Sequence, residues 1–300
     1  MRKPKRLQRA NFFKGAKIMN RTMITAANTM SQLQLHIDTI ANNIANLDTN
    51  GFKRRDVAFT ELIYQHFNNQ TRPEREIGRL SPDGIRQGTG ARMAASRLVM
   101  AQGAIKPTDR PLDTAFTKEG QLFKVLVQQP GGEAGEICYT RNGALYLSPA
   151  AENESVLVNG DGYFILDENN QPIIIAGDME RIAINETGEL RATMTDGTEQ
   201  TYLLGVVQVN HPQFLEARGQ NLYGLPAQLD ELGVAAADIL TELSGALRGE
   251  IGIRQMALEQ SNVDLAKEMT DLMNVQRTYQ FQARTISLAD QMMGIINGMR

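Results

Sequence analysis

The sequence predicts an α+β protein, with a coiled-coil-type helix at each end, paired with one another, and a central all-β domain. Three observations carry this expectation. Apolar residues recur at three- and four-residue steps from Met23 to Leu47. A second pattern of the same kind runs from Leu258 almost to the last residue. Between them, short apolar runs alternate with turn-forming clusters at roughly ten-residue spacing, as in a sandwich-like or barrel-like β domain.

The first helix is expected over residues 19–51. Its apolar positions are Met23, Ala26, Met30, Leu33, Ile37, Ile40, Ile44 and Leu47, the a/d signature of a coiled-coil seam. With Met23 at a, Ile37 and Ile44 also fall at a, and Leu33, Ile40 and Leu47 at d. Gly51 suits the left-handed residue that follows a helix end. Asn42, Asn43 and Asn46 fall at f, g and c, flanking the seam. Asn is a poor helix former, so three within five residues need a reason. Amides bridging to neighbouring molecules would supply one.

Ahead of this helix, residues 1–18 hold seven of the 31 Lys and Arg and none of the 34 Asp and Glu. The arm has no aromatic interleaving, and no nucleic-acid fold motif follows it. It is expected to be a disordered basic extension preceding a natural start at Met19. It contains no apolar h-region, and no window of the chain offers the ~20 apolar residues of a membrane span.

Residues 52–94 are expected to form an extended connector. Val57, Phe59, Leu62, Ile63, Tyr64 and Phe67 make an apolar patch. The polar stretch Asn68–Arg75 follows, and Gly78, Pro82, Gly84, Gly88 and Gly90 interrupt any long helix.

Over residues 95–225 the expected strands are Leu122–Val127, Ile137–Thr140, Ala144–Leu147, Ser155–Val158, Tyr163–Leu166, Pro172–Ile175, Arg181–Ile184, Glu189–Thr193 and Tyr202–Val209. Asn142-Gly143 and Asp196-Gly197 read as tight hairpin turns requiring positive φ, and Pro130-Gly131-Gly132 as a further turn. The lone Cys138 reads as a small apolar strand residue, and a single cysteine forms no intramolecular disulfide.

Residues 226–254 are an Ala- and Gly-rich linker. The second helix is expected over residues 255–300, with Leu258, Leu265, Leu272, Tyr279, Ile286 and Met293 at d. Its a positions mix polar Asn262 and Gln276 with apolar Met269. Polar a residues cost stability but fix register. A flanking stripe through Leu288, Met292, Ile295 and Ile296 allows contact with more than one neighbour. The expected assembly interface is Ile37, Ile40, Asn42, Asn43, Ile44, Asn46 and Leu47 on the first helix. On the second it is Asn262, Leu265, Met269, Leu272, Gln276, Tyr279, Ile286 and Met293.

Enzymatic chemistry finds no support. There is no phosphate loop, no dinucleotide fingerprint and no nucleophile elbow. His36, His66 and His211 lack metal-ligand spacing. Asp167-Glu168-Asn169-Asn170 lacks the glycine and closing Glu of a calcium loop. No cofactor, small-molecule substrate or nucleic acid is expected. The choice lies between a self-assembling structural subunit and a non-enzymatic β-domain binding module dimerised by its helices.

Several separate motifs bear on that choice. Asn42-Asn43-Ile44-Ala45-Asn46 with Gly51-Phe52-Lys53-Arg54 resembles the N-terminal motif of the flagellar rod and hook family, the axial proteins of the bacterial flagellar basal body. Residues 258–269 and Gln276-Arg277-Thr278-Tyr279 resemble its C-terminal motif. Arg110-Pro111-Leu112-Asp113, Tyr139-Thr140-Arg141-Asn142-Gly143, Gly160-Asp161-Gly162-Tyr163 and Gly219-Gln220-Asn221-Leu222-Tyr223 agree with its middle. The likeness covers about residues 19–300 and is nearest the distal-rod type and its Gram-positive relatives. Residues 1–18 have no counterpart, and the β domain is too short for a full hook protein's outer domain.

The resemblance implies terminal helices paired in concentric layers of a hollow rod, with the β domain facing outward. It implies export through the flagellar type III apparatus without a cleaved signal. It also implies partners among copies of the chain and other rod and hook proteins. Deleting residues 1–18, which hold no seam position, is expected to leave rod assembly and swimming intact. A non-motile strain with normal protein levels would refute this.

Overall fold

A computed structural model describes residues 5–61, 65–67, 85–88, 90–128, 135–151, 154–226, 228–229 and 233–298. Asn68–Arg75, Gly78, Pro82, Gly84, the Leu62–Tyr64 part of the apolar patch and the turn Pro130-Gly131-Gly132 lie outside the described residues. The chain divides into two compact units. A helical unit comprises Met1–Asn42, Asp56–Ser96 and Ala266–Arg300, and a β unit comprises Asn43–Arg55 and Arg97–Leu265.

In chain order, helix α1 (Lys5–Ala45) is followed by β1 (Arg55–Glu61), β2 (Gln65–Phe67), β3 (Ile85–Gln87) and β4 (Ala91–Leu98). The α1 helix begins well ahead of Met19 and takes in most of the basic arm expected to be disordered. Leu, Gln, Arg, Ala and Lys in that arm are all good helix formers. Along α1, Ala26, Leu33 and Ile40 are buried, with Met23, Met30 and Ile37 half-buried. The 3-4 apolar pattern is therefore the face that leaves water.

The described part of the connector carries short strands. β1 pairs with β4, and β2 with β3 in antiparallel register. The Met93 N–H donates to Gln32 Oε1 at 2.9 Å, tying β4 to α1.

The β unit opens with β5 (Ile105–Pro107), β6 (Thr114–Phe116), β7 (Gln121–Val127), β8 (Glu136–Thr140), β9 (Leu145–Ala151), β10 (Glu154–Asn159), β11 (Phe164–Ile165) and β12 (Ile174–Ala176). It continues with β13 (Met179–Ile184), β14 (Glu189–Met194), β15 (Glu199–Leu203), β16 (Val206–Val209), β17 (Glu216–Gly219) and β18 (Leu222–Gly224). The short helix α2 (Ala236–Ile239) leads into β19 (Leu240–Glu242), β20 (Ile253–Gln255) and β21 (Ala257–Glu259). Helix α3 (Leu265–Gly298) closes the chain, in the helical unit.

The main sheet has ten strands in the order β12-β10-β11-β7-β8-β18-β17, with β16 between β7 and β19, and β9 on β10. A separate meander is β13-β14-β15. Strand β7 is central, and its Gln121–Val125 stretch is buried throughout. Successive residues of a strand face opposite ways. Leu122 accordingly joins one core with Tyr139, Val207 and Tyr223, while Phe123 and Val125 join another with Leu157, Ile165 and Leu190. Cys138 packs in the second core, where burial pushes its thiol up to about 11.

Every expected strand is present, with one split. Tyr202–Val209 is two strands in two sheets, because the chain passes the main-chain oxygen of Asp167 at Gly205, where a Cβ would lie 2.5 Å from it. Asp196-Gly197 is the expected hairpin turn, with Gly197 at φ +81° joining β14 to β15. Asn142-Gly143 is not: β8 and β9 do not pair, and Gly143 is absent from the positive-φ residues. Glycine is needed there for room. A Cβ would fall 1.8 Å from the Thr114 carbonyl oxygen, whose own N–H donates to the Gly143 carbonyl at 2.9 Å.

The stretch 226–254, expected as a linker, carries α2, β19 and β20. Strand β19 extends the main sheet through β16, and β20 pairs with β6. These strands are three residues long, too short for a periodicity to register. Among the described residues no helix is long and apolar enough to cross a membrane.

Gly143→Ala is expected to destabilise the β unit by about 1–3 kcal/mol through overpacking. Gly249→Ala is the control, since nothing lies within 4 Å of the place its Cβ would occupy. Urea denaturation of the two variants checks the difference.

Candidate functional site: the terminal joint and the helix faces

Four remote stretches of chain meet in the β unit around one carboxylate. Lys53 Nζ donates to Glu259 Oε1 at 2.6 Å, and Arg141 Nε donates to Glu259 Oε2 at 2.6 Å. All three side chains are almost completely buried. The main chain supplies further partners. Lys53 Nζ also donates to the Ala101 carbonyl, and the Gly103 N–H donates to Glu259 Oε1, each at 2.8 Å. Arg141 donates to the carbonyls of Gln121 at 2.7 Å and Lys118 at 2.9 Å.

Buried ions persist when paired and hydrogen-bonded in this way. Burial pushes the Glu259 carboxyl up, but the Arg141 and Lys53 charges and their hydrogen bonds outweigh it and hold the group below the usual carboxylate value. Burial, reinforced by the Arg141 charge, lowers the Lys53 amine, and Glu259 offsets only part of that.

Two asparagine amides brace the same joint. Asn43, 1% exposed, forms a closed pair with Arg55: its Nδ2 donates to the Arg55 carbonyl, and the Arg55 N–H donates to Oδ1, both at 3.0 Å. Asn262 accepts from the Arg54 N–H at 2.7 Å and donates to the Val99 and Ala101 carbonyls at 2.9 Å. The end of α1 and the chain entering α3 are thereby stapled to one strip of main chain.

The backbone makes the same connections. The Gly51 N–H donates to the Glu259 carbonyl at 2.7 Å, and Gly51 sits at φ +69° against the Arg141 backbone, 2.6 Å from where a Cβ would be. The left-handed residue after the helix end is therefore also a point of close approach. Met256, at φ +56°, separates β20 from β21, so that these consecutive short strands pair with different partners, β6 and β5.

The sequence-derived interface residues divide by position. On α1, Ile40 is buried, Ile37 and Ile44 are half-buried or more, and Asn42 is exposed. Asn46 and Leu47 lie in the turn after the helix, where Asn46 Oδ1 accepts from the Thr49 hydroxyl at 3.2 Å. Asn43, expected to reach a lateral neighbour, instead caps the backbone of its own chain.

Helix α3 begins at Leu265, so Leu258 lies in β21 and Asn262 in the loop ahead of the helix. Its inward row is Glu268, Leu272, Val275, Tyr279, Gln282, Ile286, Ala289, Met293 and Ile296, most of them buried or half-buried. The d positions Leu272, Tyr279, Ile286 and Met293 stand in that row. The a positions lie one residue earlier than expected, which leaves Met269 and Gln276 exposed, and the expected d position Leu265, the first residue of the helix, is exposed as well.

Lys53, Arg141 and Glu259 are not among the residues that the sequence singles out, because charge signals exposure unless a partner is known. The available sign was their place inside the Gly51–Arg54, Tyr139–Gly143 and 258–269 motifs.

With the joint and helices in place, the comparisons with known proteins identify the class. Residues 23–53 match the family described as flagella basal body rod protein. Residues 121–192 match the flagellar hook protein FlgE/F/G D1 domain, and residues 254–299 match the flagellar basal body rod FlgEFG protein C-terminal family. The chain belongs to the flagellar basal-body rod and hook family.

It is 45% identical to the flagellar hook-basal body complex protein FlhP of Bacillus subtilis over 287 residues, which cover 94% of this chain and 100% of that protein. It is 31% identical to the flagellar basal-body rod protein FlgG of Borreliella burgdorferi over 94% of this chain and 99% of that one. The FlgG of Agrobacterium fabrum is likewise 31% identical, over 92% and 98%. The matched N- and C-terminal families end and begin on the two sides of the joint.

Glu259→Gln leaves Lys53 and Arg141 buried against one fewer charge, and is expected to cost about 3–5 kcal/mol of stability. Arg191→Ala, which breaks the exposed pair with Glu189, is expected to change little. Chemical denaturation of both variants provides the comparison.

Proposed function

We propose that the chain is a non-enzymatic structural subunit of the bacterial flagellar basal-body rod, which self-assembles through its terminal helices and links the rod to the hook. The observation that carries this reading is the apolar row that α3 leaves in water. Leu265, Met269, Met273, Phe281, Leu288, Met292 and Ile295 are all exposed, Phe281 and Ile295 to 65%. A helix that buries one 3-4 row and exposes a second set of large apolar groups is suited to neighbours on two sides.

In this reading the inward rows of α1 and α3 pair as a short coiled coil, and the outer row of α3 is covered by further subunits. The methionines suit an interface with non-identical neighbours, because the thioether side chain adapts its shape. The β unit carries the joint that fixes the base of each helix. The partners are other copies of this chain, other rod and hook proteins, and the flagellar type III export apparatus, which carries the chain to the basal body without a cleaved signal.

Ile40→Asp and Leu272→Asp each place a charge in an inward row, at a cost of several kcal/mol if the charge stays unpaired. Both are expected to abolish rod assembly and swimming while leaving the β unit folded. Phe281→Asp, on the outer row, is expected to leave the free subunit's melting unchanged and still abolish assembly. Swimming cells carrying Phe281→Asp would refute the role given to that row, and swimming cells carrying Ile40→Asp the role of the seam.

A further inference from the structure

One titratable group of the helical unit meets a second element through its ring and feels the charges of a third. His36 lies on α1 between the buried seam residues Leu33 and Ile40, and is itself half-buried. Its ring meets Phe59 of β1 edge-on, with centroids 5.1 Å apart and planes at 62°. The charges that act on it come from the two other elements: Asp56 on β1, and Glu268 and Asp271 on α3. Glu268 is among the buried residues of its helix.

We propose that His36 is an acid-sensitive joint of the helical unit, neutral when α1, β1 and α3 are packed together and driving them apart when it takes up a proton. Two influences oppose each other at this ring. Packing against Phe59 and the seam removes water from it, which disfavours the imidazolium. The three carboxylates favour it.

Burial is the larger influence, and it holds the imidazole below its ordinary value of 6.5. A histidine lowered in the folded state binds its proton more readily once the unit opens. The stability it contributes is therefore complete above about pH 6.5 and falls as the pH drops toward the folded value. One linked proton can change the opening equilibrium by at most about tenfold per pH unit. The inference goes beyond the rod role and does not depend on it, since it concerns the free subunit.

The test is hydrogen exchange of the full chain between pH 7.5 and 5.5 at a concentration where it is monomeric, corrected for the intrinsic pH dependence of exchange. Amides of α1 and α3 around His36 are expected to lose protection by several-fold as the pH falls below 6.5, with β7 and β10 as the internal reference. His36→Gln is expected to remove that loss. His66→Gln, at the other histidine of the unit, is expected to keep it. An unchanged pH response in His36→Gln would overturn the proposal, as would its disappearance in His66→Gln, or protection that rises on acidification. Should His36→Gln not fold, the NMR titration of His36 in the unmodified chain decides: a midpoint below 6.5 supports the joint, and one at or above 6.5 overturns it.

Discussion

The double ion pair of Glu259 with Lys53 and Arg141 is the constraint on which the layout of the β unit depends. Each partner comes from a different part of the chain, and both cations also donate to main-chain carbonyls. A buried ion pair is weak evidence of net stability, because desolvating the ions offsets much of their attraction. Its consequence here is specificity. Two cations and one carboxylate can be buried together only if residues 51–55, 99–103, 118–121, 141 and 259 hold one arrangement. Any slip of register strands a charge.

That requirement explains the surrounding geometry. Gly51 must be glycine both for its left-handed φ and for its approach to Arg141. Met256 accepts an uncommon backbone conformation so that Glu259 arrives at the end of β21 opposite Lys53. Asn43 and Asn262, on either side, convert the ends of the two terminal segments into hydrogen-bonded parts of the same strip. The joint does this inside the β unit with groups that carry no catalytic chemistry.

The α3 helix shows how a seam can be half-read. Its d row was legible, because Leu272, Tyr279, Ile286 and Met293 form an unbroken heptad. The neighbouring row lies one residue earlier than its hydrophobicity suggests. Met269 looks like a better core residue than Glu268, and hydrophobicity alone chooses it. In the folded chain Glu268 is buried and its charge acts on His36 of α1, while Leu265 and Met269 are exposed. For a subunit that assembles, an apolar residue on the surface is no contradiction.

By itself the sequence determined the α+β class, the apolar face of α1, the central strands and the family, because periodicity and turn chemistry are local and survive in one dimension. Asp196-Gly197 could be recognised as a turn for that reason. Tertiary structure alone decided which charges are buried, where α3 begins, and that Asn43, Asn262 and Gly143 serve the chain's own backbone. Lys53 and Glu259 stand more than two hundred residues apart, as Arg54 and Asn262 do. Nothing local tells a residue that its partner lies at the far end of the chain. Only the closed fold removes the water that makes the pairing matter.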